Sequence, residues 1–331
     1  MAEPGKIVVR GPNWIGDQVM ALPFYRELRA TYPSSHLTLL CPPTVASVPT
    51  DTLFDETIRI DHALRRTARG VWLLSRQLAG GNFDLSISLP ASFGSALPFF
   101  LARIPNRVGF DSDGSGVLLT DSLRWQGVLA REHKSRLYLD LISFLRGHTV
   151  PFLPFPSVRP SPKRERQIII APGASISLRV WPYFEKLIVA LREAHPELRL
   201  IAVGSEAEKG WHPFLSTYRS ENLVDRIGTT TLEQLRDLCA GSVLVVANDS
   251  GVAHIAGTLA ATPTLVLFGP GDPNYIRPLG PFVHGIAPTG LACSPCESSH
   301  CRAPFGYQRC LRDISVSDVM QGINDLLGKS G

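Results

Sequence analysis

The feature that most constrains the fold is an alternation of strand and helix signals that occurs twice along the chain. In the first half, the short apolar runs KIVVR, HLTLLC and FDLSISLP alternate with longer segments of helical periodicity such as ALRRTARGVWLLSRQLA. In the second half, the runs IIIAPG, LRLIAVG, SVLVVAND and TPTLVLFGP repeat the arrangement. This alternation predicts parallel sheets flanked by helices, and therefore two α/β domains.

A proline-rich stretch, HTVPFLPFPSVRPSPKRERQ, separates the two halves. Proline fixes φ, offers no backbone donor and moves the preceding residue away from helical geometry, so this stretch reads as an extended linker. We predict domains at residues 1–155 and 166–331, joined by a linker at about 150–165. We also expect the last helix, SVSDVMQGINDLLG, to pack back on the first domain.

The composition sets broad limits on the compartment and the partners. No run of 18 apolar residues is present, and MAEPGKIVVRG lacks the apolar segment of a signal peptide, so we expect a cytoplasmic protein with reduced thiols. The net charge of +4 suits an anionic partner. We expect no nucleic-acid partner, because the charge is modest and no basic motif with interleaved aromatic residues occurs.

The segment VVANDSGVAHIAG is the most specific local pattern of the second half. Asp249, Ser250 and Gly251 follow a buried strand and open a helix, and His254 lies one turn further on. Exposed backbone N–H groups and the helix dipole at such a position favour a phosphate. The alternative is that Asp249 or Ser250 is an ordinary helix cap and that His254 is a core histidine.

Two further loops follow predicted strands of the second half. APGASISLRVWP carries Ser175 and Arg179, which could hold a diphosphate, although a lone arginine is more often solvent-exposed. AVGSEAEKG carries Glu206 and Glu208. A carboxylate there could accept hydrogen bonds from ribose hydroxyls, or could simply be an acid in the first turn of a helix.

One acid of the first half, Asp17, lies in RGPNWIGDQVMALPFYREL between Gly16 and an apolar run. A buried strand gives way to a helix at this point. A carboxylate there is stabilised by the helix dipole whatever its function. The residue is therefore either part of a helix start or a group with a chemical role.

These segments, together with LPASFGSALPFFLARIPNRVGF, resemble the family 9 glycosyltransferases, the ADP-heptose:lipopolysaccharide heptosyltransferases. The resemblance runs in order from about residue 6 to 325, and PNWIGD and SFGSAL are most similar to the heptosyltransferase II branch. It implies the GT-B fold, with two Rossmann-like domains facing a cleft. It also implies inverting transfer from ADP-heptose, bound by the C-terminal half, to an anionic heptosyl-Kdo-lipid A type acceptor on the N-terminal half.

The resemblance also implies roles for individual residues. Asp17 matches the general base, and Arg179 lies where the family commonly has a lysine that offsets charge on the departing ADP. The donor-binding positions are Ser175, Glu208, Asp249, Ser250, Gly251 and His254. The acceptor-binding positions are Asn13, Ser92, Ser95, Arg107 and Lys134. Ala91 and Gly94 depart from the asparagine and the basic residue often found there, which bears on the acceptor rather than the donor.

The resemblance further implies that no cofactor or catalytic metal is required, and an anionic lipid acceptor implies contact with the cytoplasmic face of the inner membrane. Two other kinds of enzyme remain open at this point: a nucleotide-sugar epimerase of GT-B architecture, and a family 9 enzyme with another sugar or acceptor. A non-catalytic nucleotide-sugar-binding protein also remains, although Asp17 at a strand end argues against it.

Four cysteines cluster near the C-terminus, in the order Cys293, Cys296, Cys301 and Cys310. Their spacing is compatible with a four-thiolate zinc site, although it fits no standard zinc finger closely. Free thiols are the alternative in a reducing compartment. Either way, a position after the last strands suggests a loop-stabilising role rather than catalysis.

Overall fold

The computed structural model describes residues 3–48, 53–61, 63–64, 67–152, 164–210, 212–218, 220–304 and 306–328. The chain divides into two compact units, Met1–Phe152 and Leu153–Gly331. The division falls inside the predicted linker, of which residues 153–163 lie outside the described part.

The first unit contains a six-stranded parallel sheet of order β3-β2-β1-β4-β5-β6 among its described residues. The strands are β1 (Lys6–Arg10), β2 (His36–Cys41), β3 (Glu56–Arg59), β4 (Leu85–Ser88), β5 (Asn106–Asp111) and β6 (Asp121–Arg124). The helices are α1 (Ile15–Met20), α2 (Leu22–Thr31), α3 (Ala68–Gly80), α4 (Phe93–Leu101) and α5 (Lys134–Arg146). Strand β6 is absent from the sequence prediction because its short run, DSLR, is mostly exposed and has little apolar character.

The second unit has the same arrangement, with a parallel sheet of order β12-β11-β10-β7-β8-β9. Its strands are β7 (Glu165–Ala171), β8 (Arg199–Ala202), β9 (Leu223–Asp225), β10 (Ser242–Asn248), β11 (Thr264–Leu267) and β12 (Val283–Ile286). Its helices are α6 (Phe184–Ala194), α7 (Phe214–Thr217), α8 (Leu232–Ala240), α9 (Gly251–His254), α10 (Pro273–Ile276), α11 (Arg309–Arg312) and α12 (Val316–Gly328). Both strand orders are the Rossmann order, so the predicted α/β fold is confirmed.

The central strands are apolar because helices cover both faces of each sheet. In the first unit, α3 and α4 contribute Leu74, Leu78 and Phe99 to a core that also contains Val8 of β1 and Leu40 of β2. Helix α3 begins at Thr67, whose hydroxyl accepts from the backbone N–H of Gly70. The two helices therefore lie on the same face of the first sheet.

Two helices of the second unit are short. The sequence EAEKGWHPFLSTY reads as a helix interrupted by Pro213, and in the structure Glu206–Glu208 form a 3-10 turn while α7 begins separately after Pro213, which has no backbone N–H to donate. The segment after Ser250 is α-helical only to His254 and continues as a π-helical turn, Ile255–Leu259. By contrast, α8 starts at the expected Thr231, in a capping box with Gln234.

The last helix, α12, buries Val319, Ile323 and Leu326 in the core of the second unit. Its contact with the first unit stays a prediction. No helix in the described ranges is long and apolar enough to span a bilayer.

Candidate active site

Several of the predicted site residues lie just beyond the central strands of the two sheets. In the first unit, β1 and β4 are neighbours although they are not consecutive in sequence, and Asp17 and Ser92 follow them. In the second unit, β7 and β10 are neighbours in the same way, and they are followed by Arg179 and Asp249. Such switch points leave a crevice at the carboxyl ends of the strands, where doubly wound sheets bind their ligands.

Asp17 makes a specific ion pair in the first turn of α1. Its Oδ1 lies 2.8 Å from Nζ of Lys134, the first residue of α5, and both side chains are about four-fifths buried. The helix starts at Trp14 without a side-chain cap, so Asp17 is not a capping residue. The pair brings together the predicted base and one of the predicted acceptor residues, 117 positions apart in sequence.

A buried arginine supports the loop that carries Asp17. Arg10, at the end of β1, is only 5% exposed, and its guanidinium donates to the carbonyl oxygens of Gly11 and Leu40 and to Oδ1 of Asn13. Gly11 has no room for a side chain, since a Cβ would lie 2.8 Å from the hydroxyl of Tyr25. Asn13 is thus fixed through Arg10, a residue that the sequence analysis did not single out.

A pocket of about 210 Å³ opens beside these residues within the first unit. Ser92, Gly94 and Ser95 line it at the start of α4, together with Arg10 and Asn13. The Ser95 hydroxyl donates to the carbonyl oxygens of Pro90 and Ser92, so it organises the loop locally. A Cβ at position 94 would meet no atom within 4 Å, so packing does not require glycine there.

Arg107 lies elsewhere in the first unit. It is the second residue of β5 and therefore at the amino end of that strand, away from the carboxyl edge that carries Asn13 and Ser92. Its guanidinium donates to the carbonyl oxygens of Leu118 and Ile104. The fold does not bring it to the other predicted acceptor residues.

Arg179 is the centre of a charged cluster in the second unit. It ends a 3-10 turn after β7, and its Nη1 lies 2.8 Å from Oδ2 of Asp249, which is 4% exposed. Its Nη2 lies 3.8 Å from Oε2 of Glu297. Gly271 lies directly against this pair, since a Cβ there would be 2.6 Å from the Asp249 carboxylate. The alternative of a solvent-exposed arginine therefore does not hold, because Arg179 is mostly buried between two carboxylates.

The helix start after β10 is not capped by its own side chains. Ser250 occupies the N-cap position of α9, but its hydroxyl makes no capping bond, and its buried oxygen has no hydrogen-bond partner in the described residues. Asp249 instead faces Arg179. The capping alternative is therefore wrong for both residues. His254 lies one turn into the helix that begins at Gly251, and it is only 3% exposed.

Two buried amides, Asn248 and Gln308, hold the Arg179 loop, and the sequence pattern predicts neither. The side chain of Asn248, fully buried, donates to the carbonyl oxygens of Pro172 and Gly173 and accepts from the backbone N–H of Trp181. Gln308 reaches the same loop from the C-terminal segment, with Nε2 2.8 Å from the carbonyl oxygen of Val180 and 3.0 Å from that of Leu178. Because neither contact is local in sequence, no pattern of residues reveals it.

Glu208 lies over the carboxyl ends of β7 and β8. A Cβ at Gly173 would lie 2.0 Å from its Oε2, and one at Gly204 would lie 2.3 Å from it, so the Glu208 carboxylate lies directly against both glycines. Ser205 donates to its other oxygen at 2.9 Å. Glu206 instead faces solvent and pairs with Lys209. Ser175 lies exposed in the loop between β7 and Arg179.

The clustered cysteines lie in the segment that carries Glu297 and Gln308. All four are free thiols. Burial raises the pKa of Cys310 to about 11, whereas backbone N–H groups of Gln308 and Ala303 lower the pKa of Cys301. In the described part of the chain, no three His, Cys, Asp or Glu side chains are arranged to hold a metal ion. The four-thiolate zinc site stays a prediction.

Known proteins resemble this chain over nearly its whole length. The family model "Glycosyltransferase family 9 (heptosyltransferase)" matches residues 150–305. Lipopolysaccharide heptosyltransferase 2 of Escherichia coli is 28% identical, with 97% of this chain and 98% of the relative covered, and that of Salmonella typhimurium is 27% identical over 98% and 99%. The solved structure of E. coli ADP-heptose lps heptosyltransferase II is 25% identical, covers 98% of this chain and 99% of its own, and has a TM-score of 0.77. The predicted resemblance is confirmed.

Proposed function

We propose that this chain is a glycosyltransferase of family 9 that transfers a heptose from ADP-heptose, with inversion, to the heptosyl-Kdo-lipid A inner core of lipopolysaccharide. The observation that carries the proposal is the pairing of Arg179 with Asp249 at the switch point of the second sheet, beside the unpartnered hydroxyl of Ser250. The relatives named lipopolysaccharide heptosyltransferase 2 match nearly the whole chain. The similarity therefore includes both units, which supports this activity for the chain as a whole.

The second unit is the proposed donor site. The backbone N–H groups at the start of α9 and the hydroxyl of Ser250 bind the diphosphate, together with Ser175 and His254. Glu208 accepts hydrogen bonds from the ribose hydroxyls, since its carboxylate lies at the open end of β7 and β8. Arg179 offsets the charge that develops on ADP as the bond to the sugar breaks.

The first unit is the proposed acceptor site, and Asp17 is the proposed base. As the acceptor hydroxyl oxygen attacks the anomeric carbon, its proton moves to the Asp17 carboxylate. The bond between that carbon and the phosphate oxygen breaks, and its electron pair leaves with ADP. Lys134 holds the carboxylate in place at 2.8 Å, and Asn13, Ser92 and Ser95 bound the pocket that receives the sugar. The resemblance implies that no cofactor or metal takes part.

The test is transfer from ADP-heptose to three acceptors that carry zero, one or two heptoses, read by mass spectrometry. We expect one heptose to be added to the acceptor that already carries one. Transfer only to the acceptor with none would move the enzyme to the preceding step. Conversion of the donor without any acceptor would instead favour an epimerase.

Asp17→Asn tests the base separately. The amide cannot take the proton, so transfer should fall at least about 100-fold while ADP affinity stays within about twofold. Asp121→Asn, which changes an exposed acid on β6 of the same unit, is the matched control and should leave both quantities unchanged. Wild-type turnover in Asp17→Asn would refute the role of Asp17.

The acceptor is a membrane glycolipid, so we propose that the protein works in the cytoplasm, in peripheral contact with the inner membrane.

A further inference from the structure

Helix α3 presents apolar side chains on two opposite sides. Leu74 and Leu78 face the core of the first unit. On the outer side, Trp72 is 53% exposed and Leu73 is 44% exposed. Arg69 and Arg76 lie three residues before Trp72 and three after Leu73, so helical spacing places the four side chains in one outward stripe.

Helix α4 has the same two-sided character. Phe99 is buried against the core, whereas Phe93, Phe100 and Leu101 are between 40% and 48% exposed. Because α3 and α4 pack on the same face of the sheet, their outer stripes belong to one surface. We call this surface the α3/α4 face and define it by Arg69, Trp72, Leu73, Arg76, Phe93, Phe100 and Leu101.

The exposed apolar residues are concentrated on this face. Of the eleven large hydrophobic residues that are exposed in the described chain, five lie on α3 and α4. The helices α6, α8 and α12 of the second unit carry none of them within the described residues. An apolar patch of this kind, rimmed by polar groups, marks an interaction surface.

The charges on the face have one sign. Neither α3 nor α4 contains an acid, Arg103 lies just after α4, and Arg107 lies in β5. Arg76 lies over the ring of Trp72 at 5.0 Å, and Arg107 lies over the ring of Phe100 at 5.6 Å. Arginine on an aromatic ring beside exposed aliphatic side chains is typical of a layer where apolar groups enter lipid and charged tips remain among headgroups.

The positive charge of the α3/α4 face also indicates which kind of partner binds there. A second copy docking through the same face would place arginines against arginines, which opposes a symmetric dimer. A nucleic acid would use the charges but would leave Leu73, Phe93 and Leu101 without a role. Anionic lipids match both properties, because their headgroups attract arginine and their acyl region takes the apolar side chains.

We propose that the α3/α4 face is the surface by which this protein lies on an anionic bilayer. The inference rests on the proposed function in one respect, namely that the acceptor is a glycolipid held in that bilayer. Both helices line the acceptor pocket, through Leu74 on α3 and through Ser95 and Pro98 on α4. The same two helices therefore carry the α3/α4 face and part of the lining of the acceptor pocket.

The experiment is sedimentation of the full chain with vesicles of equal parts phosphatidylglycerol and phosphatidylcholine, compared with vesicles of phosphatidylcholine alone. The wild type should bind the anionic vesicles. The double variant Trp72→Ser/Leu73→Ser should bind about tenfold more weakly or worse. Arg69→Gln/Arg76→Gln should lose about fivefold for each arginine and should bind with a weaker dependence on salt. Phe282→Ser, a residue 41% exposed on the second unit, should bind as the wild type does.

Transfer to a deacylated, water-soluble acceptor keeps this inference separate from the proposed function. All these variants should retain that activity within about twofold, which also shows that they fold. Its absence in every protein, including the wild type, would count against the function and not against the face. Equal vesicle binding by Trp72→Ser/Leu73→Ser and the wild type would overturn the inference, as would a wild-type dimer that this variant converts to monomer.

Discussion

The pairing of Arg179 with Asp249 leads to a prediction with a definite magnitude. Asp249 is 4% exposed and Arg179 is 22% exposed, with 2.8 Å between Nη1 and Oδ2. Removing one partner of a buried pair costs about 3–5 kcal/mol of unfolding free energy. Arg179 retains some solvent and Asp249 has a further interaction, so we expect a smaller coupling, of about 2 kcal/mol.

The coupling is measured with Arg179→Met, Asp249→Asn and the double variant. Amide hydrogen exchange of β7 and β10 reports the stability of the unit that carries both residues, so the whole chain need not unfold in one step. The exposed pair Arg309–Asp313, one turn apart on the C-terminal segment, is the matched control and should show at most about 0.5 kcal/mol. Additivity of Arg179→Met and Asp249→Asn within about 0.5 kcal/mol would refute the buried pair.

The same variants separate structure from catalysis. Arg179→Met removes the charge that offsets departing ADP, so kcat should fall about 100-fold. Arg179→Lys keeps the charge but cannot reach Asp249 and Glu297 with a planar fork, and should retain at least about a tenth of kcat. A wild-type kcat in Arg179→Met would show that the guanidinium is structural only.

Three further predictions follow from contacts in the two units. Lys134→Met should lower kcat about tenfold, because Asp17 loses the ammonium group that positions it, with no change in ADP affinity by calorimetry. Gln308→Ala should loosen the turn that carries Arg179, which should raise KM for the donor severalfold and speed exchange of the Val180 amide. A backbone N–H and a guanidinium lower the pKa of Asp55, so its stabilising contribution is present above the unfolded pKa and disappears as pH falls below about 4. As the pH is lowered through about 4, the melting temperature of Asp55→Asn should therefore fall less than that of the wild type.

The central sheets could be predicted from the sequence for a simple physical reason. A strand buried on both faces must be apolar along its whole length, as in KIVVR, IIIAPG and SVLVVAND, and such runs are visible without any knowledge of tertiary contacts. Edge strands such as β6 carry mostly exposed residues and leave no comparable pattern.

The sequence by itself therefore determined the alternation of strands and helices in the two halves. It also determined which side chains follow the strands: an acid at position 17, an arginine at 179, and Asp249 with Ser250. What only the tertiary structure decided is which of these groups meet. The pair of Asp17 with Lys134 joins residues 117 positions apart, and Gln308 reaches a loop 128 positions away. Such contacts depend on the order in which the parallel strands pair. Strand order is a property of the whole sheet, and no local stretch of sequence contains it.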